Sequence, residues 1–344
     1  MTETDLATAV MAVVDRWMQT TQPAQRQAEM ANPATLSATL GVAVQRDLVV
    51  GGHTPAAARC LVSQAPYLHL QNVFDPADLV DTPQEFFPIP DTGATMAARA
   101  AVLAVHGMLS LETVSYATES DGNLFVNLVA MPGEGAFAEK SKKSMRGHTD
   151  GVSFPFNGDD DVQDKRIAPS PDLVTLVGLR NPNNVPTKLM PLADVLATML
   201  PGDVDELKKP QYSIRSQKTF REGMKRILGK EFVVINGPVL KDVANGTYVR
   251  YSHNTVLPSA MGGLAEQASN NLEAACNQVV VPVVVRPGDV LIINNRLSLH
   301  GRGEVGDDIG GQSRWLLRAY ALDTSNLAGY KRHLGGSPPH VLFP

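Results

Sequence analysis

Cysteine is scarce in this chain: 344 residues carry only Cys60 and Cys276. Two thiols cannot build a disulfide framework, and they are too few for a cysteine-rich zinc or iron–sulfur site. Excess positive charge is also missing. The formal net charge is −5 and no run of Lys or Arg is longer than Lys142-Lys143, so there is no basic face to attract nucleic acid. Long apolar runs are absent as well. With no charged-then-apolar leader and no apolar span of about 18 residues, the reading is a cytoplasmic protein with no membrane association. No internal repeat or low-complexity tract appears.

What is present is an ordinary globular composition, 43% hydrophobic and 19% charged. The length suits one large domain, or a core with an appended subdomain. Leu6, Val10, Val13, Val14 and Trp17 recur at helical spacing and predict an amphipathic helix over 5–18. Thr54-Pro55 reads as a cap and first helical residue of a second helix reaching Val62, with His53 in the loop before it. Five prolines between 66 and 92 predict a connecting segment. An Ala-rich helix follows from Ala94 to Met108, in which His106 reads as a core histidine. From Leu111 onward short β-rich runs predominate, among them 113–116, 124–129, 173–177, 232–235, 248–251 and 315–322. This predicts a mainly helical region over 1–110 packing on a strand-rich core over 111–344, with a helical insertion at about 192–229. Asp159-Asp160-Asp161 lacks the ligand spacing of a calcium loop and reads as solvated.

Two short stretches carry chemistry. In Arg146-Gly147-His148-Thr149-Asp150-Gly151, His148 and Asp150 are two apart, and on a strand such side chains leave one face. His-x-Asp alone is weak, because a strand-end histidine bonded to a neighbour explains it equally well. The second stretch, Leu299-His300-Gly301-Arg302, follows the apolar run Val290 to Ile293 and supplies a second histidine. Two histidines and a carboxylate can form a facial triad that leaves positions of an octahedral iron open. Downstream, Arg314, Leu316 and Arg318 fall on one face of a strand-like run, with Trp315 and Leu317 on the other. If the arginines face inward they need anions, which a guanidinium meets in bidentate fashion; if they face outward they mean little.

His-x-Asp, a distal His-Gly-Arg, and then Arg-Trp-Leu-Leu-Arg resemble the clavaminate synthase and taurine dioxygenase superfamily of Fe(II)/2-oxoglutarate-dependent oxygenases. The branch acting on free amino acids, with its arginine and asparagine hydroxylases, is the nearest. The resemblance covers roughly residues 124–322. It implies a mainly β fold with peripheral helices, a double-stranded β-helix (jelly roll, cupin-like). It also implies that His148, Asp150 and His300 bind Fe(II), and that Arg314, with Thr187, holds the far carboxylate of 2-oxoglutarate. Arg318 would then grip the carboxylate of a small-molecule substrate. With O2 as the third participant, an unactivated C–H bond would be hydroxylated and succinate and CO2 released.

Two departures narrow this expectation. The amino-acid branch commonly has glutamate where this chain has Asp150, as the taurine branch does. Where arginine hydroxylases carry acidic residues, this chain has Ser252 and His253, which suits a neutral or differently functionalised substrate side chain better than a guanidinium. Alternatives are a taurine dioxygenase-like or other small-acid oxygenase, desaturation or cyclisation at the same centre, a zinc hydrolase, and a non-catalytic β-barrel that binds small anions. Oligomeric state is open on the sequence.

Overall fold

The computed structural model describes residues 1–159 and 162–344. Asp160 and Asp161 of the acidic stretch lie outside the described residues.

The first helix, Glu3–Thr20, is closed by a reciprocal cap: Asp5 N donates to Thr2 Oγ1 at 3.2 Å and Thr2 N donates to Asp5 Oδ2 at 2.7 Å, which satisfies two otherwise orphaned donors. The helices Pro23–Met30 and Pro33–Val50 follow, each with proline in its first turn; the sequence reading did not anticipate either. Pro55–Gln64 starts as expected, with Ala57 N donating to Thr54 Oγ1. Gly93–Met108 is buried along almost its whole length. It crosses Pro33–Val50 so closely that a Cβ on Gly41 would lie 2.2 Å from the carbonyl carbon of Gly107, and one on Gly107 1.9 Å from Ser37 O. Only glycine permits that approach.

The major sheet has the order Tyr67–Leu70, Val290–Asn294, Leu173–Arg180, Trp315–Leu322, Glu112–Tyr116, Val341–Leu342; Val126–Val129 also pairs with Trp315–Leu322. All neighbours are antiparallel except the last pair, Glu112–Tyr116 with Val341–Leu342. The first strand corrects the expectation that 66–92 is connecting segment only: Tyr67–Leu70 is the edge of the major sheet, held in register with Val290–Ile293. Prolines flank this strand rather than interrupt it.

A smaller antiparallel sheet has the order Val281–Val283, Thr187–Pro191, Ser298–Arg302, Met145–His148. The stretch 192–229 is not helical throughout, as had been expected. Between helices Leu192–Ala197 and Pro201–Lys208 and helix Lys218–Leu228 lies the strand Tyr212–Arg215, which pairs with Phe232–Gly237 and Val256–Pro258. Its alternating burial, with Tyr212 and Ile214 inward, is the period-two signature of a strand.

Both faces of the central strands are buried. Trp315, Leu317, Ala319 and Ala321 pack with the N-terminal helices, while Leu316, Tyr320 and Leu322 pack toward the space between the sheets. His106 ties helix to sheet through hydrogen bonds to Thr113 Oγ1 at 2.9 Å and Thr175 Oγ1 at 2.8 Å. Burial pushes its pKa down from the ordinary 6.5 to about 3, so the ring is neutral at physiological pH. Among the described residues, no helix is long and apolar enough to cross a membrane.

Candidate metal centre and active site

His148 and His300 are directly opposed in the smaller sheet, where Ser298–Arg302 pairs with Met145–His148. Their rings stand 4.4 Å apart. Asp150 lies between them: its Oδ1 is 3.7 Å from His148 Nε2 and its Oδ2 is 3.5 Å from His300 Nε2. One ligand atom from each residue falls within 4.8 Å of the others, and all three side chains are buried. Two imidazole nitrogens and one carboxylate oxygen form a donor set suited to a divalent metal with open positions.

The convergence has a different cause from the one read in the sequence. The strand ends at His148, and Asp150 belongs to the turn that follows, with Gly151 at φ +64°. That turn is clamped from outside. Asn295 accepts from Asp150 N at 2.8 Å through Oδ1, and donates through Nδ2 to Asp150 O at 2.9 Å and Pro171 O at 3.0 Å. Gln217 accepts from Gly151 N at 3.0 Å and donates to Thr149 O at 3.0 Å. Neither residue was singled out in the sequence; a buried amide leaves no periodic trace.

The ionisation states suit metal binding. His148 Nδ1 donates to Arg146 O at 2.9 Å, which fixes the tautomer and leaves the Nε2 lone pair facing Asp150. Burial, helped by the nearby His300, pushes the pKa of His148 down to about 3. For Asp150 burial acts upward, but the hydrogen bond from His300 and the electrostatic influence of the two rings and Arg318 outweigh it and hold the carboxyl well below its usual range. A neutral imidazole and an ionised carboxylate are the forms that bind metal.

A cavity of about 130 Å³ opens beside the three residues, lined also by Thr187, Arg302, Arg314 and Arg318. Strand alternation alone could not orient the arginines, because the face opposite them is buried too. Arg314, just before Trp315–Leu322, is 5% exposed, and its Nε has no partner. Among the described residues its guanidinium forms no hydrogen bond or ion pair. Burial, reinforced by the charge of Arg302, depresses its pKa to about 9; a guanidinium stays protonated at physiological pH, so the depression marks a cation without its anion. Thr187 is buried at the start of Thr187–Pro191, where it pairs with Arg302.

Arg318 already has a partner. Glu119, only 4% exposed, takes both arms of its guanidinium, at 3.0 and 2.9 Å. Burial pulls the pKa of Arg318 down, but the charge of Glu119 outweighs it and keeps the group firmly protonated. Glu119 was not identified from the sequence, since it sits in the irregular turn after Glu112–Tyr116.

Ser252 and His253 lie at a wider opening on the other side of His148. The backbone of Ser252 pairs with that of His148, and His253 Nδ1 meets the Glu273 carboxylate, with burial lowering the pKa of the ring.

A family model described as "Taurine catabolism dioxygenase TauD, TfdA family" matches residues 194–320, a stretch that contains His300, Arg314 and Arg318 but not His148 and Asp150. The chain is 22% identical over 222 residues to an L-lysine 3-hydroxylase of Catenulispora acidiphila, covering 64% of this chain and 57% of the relative. It therefore spans a little over half the length of that protein. Among solved structures, asparagine oxygenase in complex with Fe(II), 3-hydroxyasparagine and succinate superposes with a TM-score of 0.71 at 19% identity, covering 98% of this chain and 97% of the other. The non-heme iron oxygenase OrfP, in complex with Fe, succinate and a dihydroxy-L-Arg, superposes with a TM-score of 0.74 at 18% identity over 98% and 97%. The chain has the fold of these oxygenases, and the resemblance read from the three motifs, to Fe(II)/2-oxoglutarate oxygenases that include free amino-acid hydroxylases, is borne out.

Proposed function

We propose that this chain is an Fe(II)/2-oxoglutarate-dependent dioxygenase that hydroxylates an unactivated C–H bond of a free amino acid or an amino-acid-derived small molecule. One observation carries the reading: a buried His148, Asp150 and His300 set shares a cavity with Arg314, a buried cation lacking an anion. A metal-only hydrolase has no use for that arginine, and an anion-binding barrel has no use for the three ligands. Relatives named for hydroxylation of lysine and of ornithine or arginine support the amino-acid class.

The two sheets are read as the walls of a double-stranded β-helix, with residues 1–110 as its helical support and 111–344 as the oxygenase core. His148, Asp150 and His300 would hold Fe(II), which, with 2-oxoglutarate and O2, supplies the oxidising equivalent and releases succinate and CO2. Arg314 takes the far carboxylate of 2-oxoglutarate, and Thr187, on the same cavity wall, would donate its hydroxyl to it. Arg318 and Glu119 together offer a cation and an anion to the substrate's carboxylate and ammonium groups. The buried walls keep water from the reacting carbon. Asn295 and Gln217 fix the turn that aims Asp150. Ser252 and His253 sit where the substrate's side chain emerges. The same proposal places the protein in the cytoplasm, acting on a dissolved small molecule rather than nucleic acid or membrane, in keeping with its net charge and two free thiols.

The test is succinate formation from 2-oxoglutarate by protein loaded with Fe(II) without oxygen and then exposed to air, across free amino acids, taurine and small carboxylic acids. Stimulation by an amino acid, lost in Asp150→Ala, is expected. Failure to bind 2-oxoglutarate in the presence of metal would overturn the reading.

A further inference from the structure

The wider opening beside His148 is a cavity of about 570 Å³, and its charge is one-sided. Lys140, Lys143, Arg146, Arg215, Lys218 and Arg221 line it, against the single carboxylate of Glu139. Several of these cations are answered: Lys143 by Glu139, Arg146 by Glu273, Arg221 by Glu231. Arg215 donates to Asn254 O. Among the described residues, the ammonium groups of Lys140 and Lys218 form no hydrogen bond or ion pair, although the Lys140 carbonyl accepts from Arg302 at 2.9 Å. Lys140 also lines the smaller cavity with the metal-ligand residues, so this half-buried ammonium stands where the two spaces meet. Burial lowers its affinity for a proton, and the charges of Asp150 and Glu119 only partly offset this.

Charge balance in the inner cavity points the same way. Among the described residues, Lys140, Arg302, Arg314 and Arg318 line this cavity against the carboxylate of Asp150, with Glu119 behind Arg318 as a second. A divalent metal and a dianionic co-substrate cancel each other, and the zwitterionic backbone of an amino acid adds nothing. Two positive charges are left for the substrate's side chain to answer. A lysine or arginine side chain leaving through this mouth would pass Lys140 and reach Lys218 with like charge.

Resting on the dioxygenase reading above, we propose that the substrate is an amino acid with an anionic side chain, a carboxylate or a group of similar charge, and that Lys140 at the junction and Lys218 at the mouth recognise it. Lys218 begins the helix Lys218–Leu228, and its exposed side chain meets the end of a longer substrate. Lys140 meets a shorter one.

The experiment is calorimetry without oxygen on Fe(II)-loaded full-length protein. A first titration with 2-oxoglutarate tests the dioxygenase reading by itself; if it does not bind, that reading fails and this one with it. The saturated complex is then titrated with L-aspartate, L-glutamate, their amides L-asparagine and L-glutamine, and L-lysine. One acid is expected to bind about tenfold to a hundredfold tighter than its amide, the range of one charge-assisted hydrogen bond, and L-lysine not at all. Lys140→Gln or Lys218→Gln is expected to erase that margin; the exposed Lys218 provides a variant with no packing to lose. The proposal is overturned if 2-oxoglutarate binds while the amide or L-lysine binds as tightly as the acids, if no acid binds, or if the preference survives both substitutions.

Discussion

Replacing Arg314 with methionine should make the ligand-free protein more stable, not less. Arg314 is 5% exposed, its Nε has no partner, and Arg302 is close enough to depress its pKa. A buried polar group left unsatisfied costs about 1–3 kcal/mol, more when charged. Methionine fills similar space, adapts to irregular walls and needs no anion. The metal-free and co-substrate-free Arg314→Met protein should therefore gain about 1–3 kcal/mol, seen as a rise of a few degrees in Tm. Adding metal and 2-oxoglutarate should reverse the order. At a ligand concentration about 1,000 times Kd, the wild type gains about 4.1 kcal/mol by mass action, and the variant, without its carboxylate clamp, gains nothing from the co-substrate. Differential scanning calorimetry in four conditions, each protein with and without co-substrate, reads both arms. A variant less stable than wild type without ligands, or one that keeps the co-substrate shift, would refute the assignment of Arg314 as a cation waiting for an anion.

Two further outcomes follow from the positioning residues. Asn295→Ala removes two hydrogen bonds to the backbone of Asp150 and one to Pro171, leaving the turn to Gln217 alone; metal affinity should fall about 10–100-fold, measured by competition with a chelating indicator, while 2-oxoglutarate affinity at saturating metal changes far less. His106 gives a pH signature. The unfolded chain protonates this ring near 6.5 and the folded chain only near 3, so its contribution to stability is complete above 6.5 and is lost as pH falls through that window. By pH 5 the loss is about 2 kcal/mol at about 1.36 kcal/mol per pH unit. The stability gap between wild type and His106→Gln should shrink by that amount between pH 7.5 and 5 in urea titrations; a constant gap would mean the ring is not buried neutral.

The residues that name the chemistry were legible because they cluster in three short runs with characteristic spacing. The two histidines, Asp150 and both arginines all reach one cavity. What stayed hidden depends on contacts between distant stretches. Glu119 meets Arg318 across 199 positions, and Asn295 reaches Asp150 across 145; neither separation leaves a local pattern. The alternation in Trp315–Leu322 could not show which face mattered, because helices cover one side and the cavity occupies the other. The helix Pro33–Val50 went unseen for a related reason: its fit against Gly93–Met108 rests on Gly41 and Gly107, residues that in sequence suggest a break rather than a contact. In the same way, the edge strand Tyr67–Leu70 was obscured by the prolines around it.

If the pair of Arg318 and Glu119 receives the substrate as proposed, it also works as an exchange counter. While the cavity is empty of substrate, each charge is matched by the other. An incoming zwitterion can separate the pair and match both again, so no charge is stranded. A carboxylic acid without an amino group would take Arg318 and leave Glu119 alone; an amine without a carboxylate would do the converse. Removing one partner of a buried pair costs about 3–5 kcal/mol, which corresponds to a discrimination of about a hundredfold to a few thousandfold. On the proposed reading, decarboxylated and deaminated look-alikes of the substrate would be refused by charge arithmetic, with no steric barrier required.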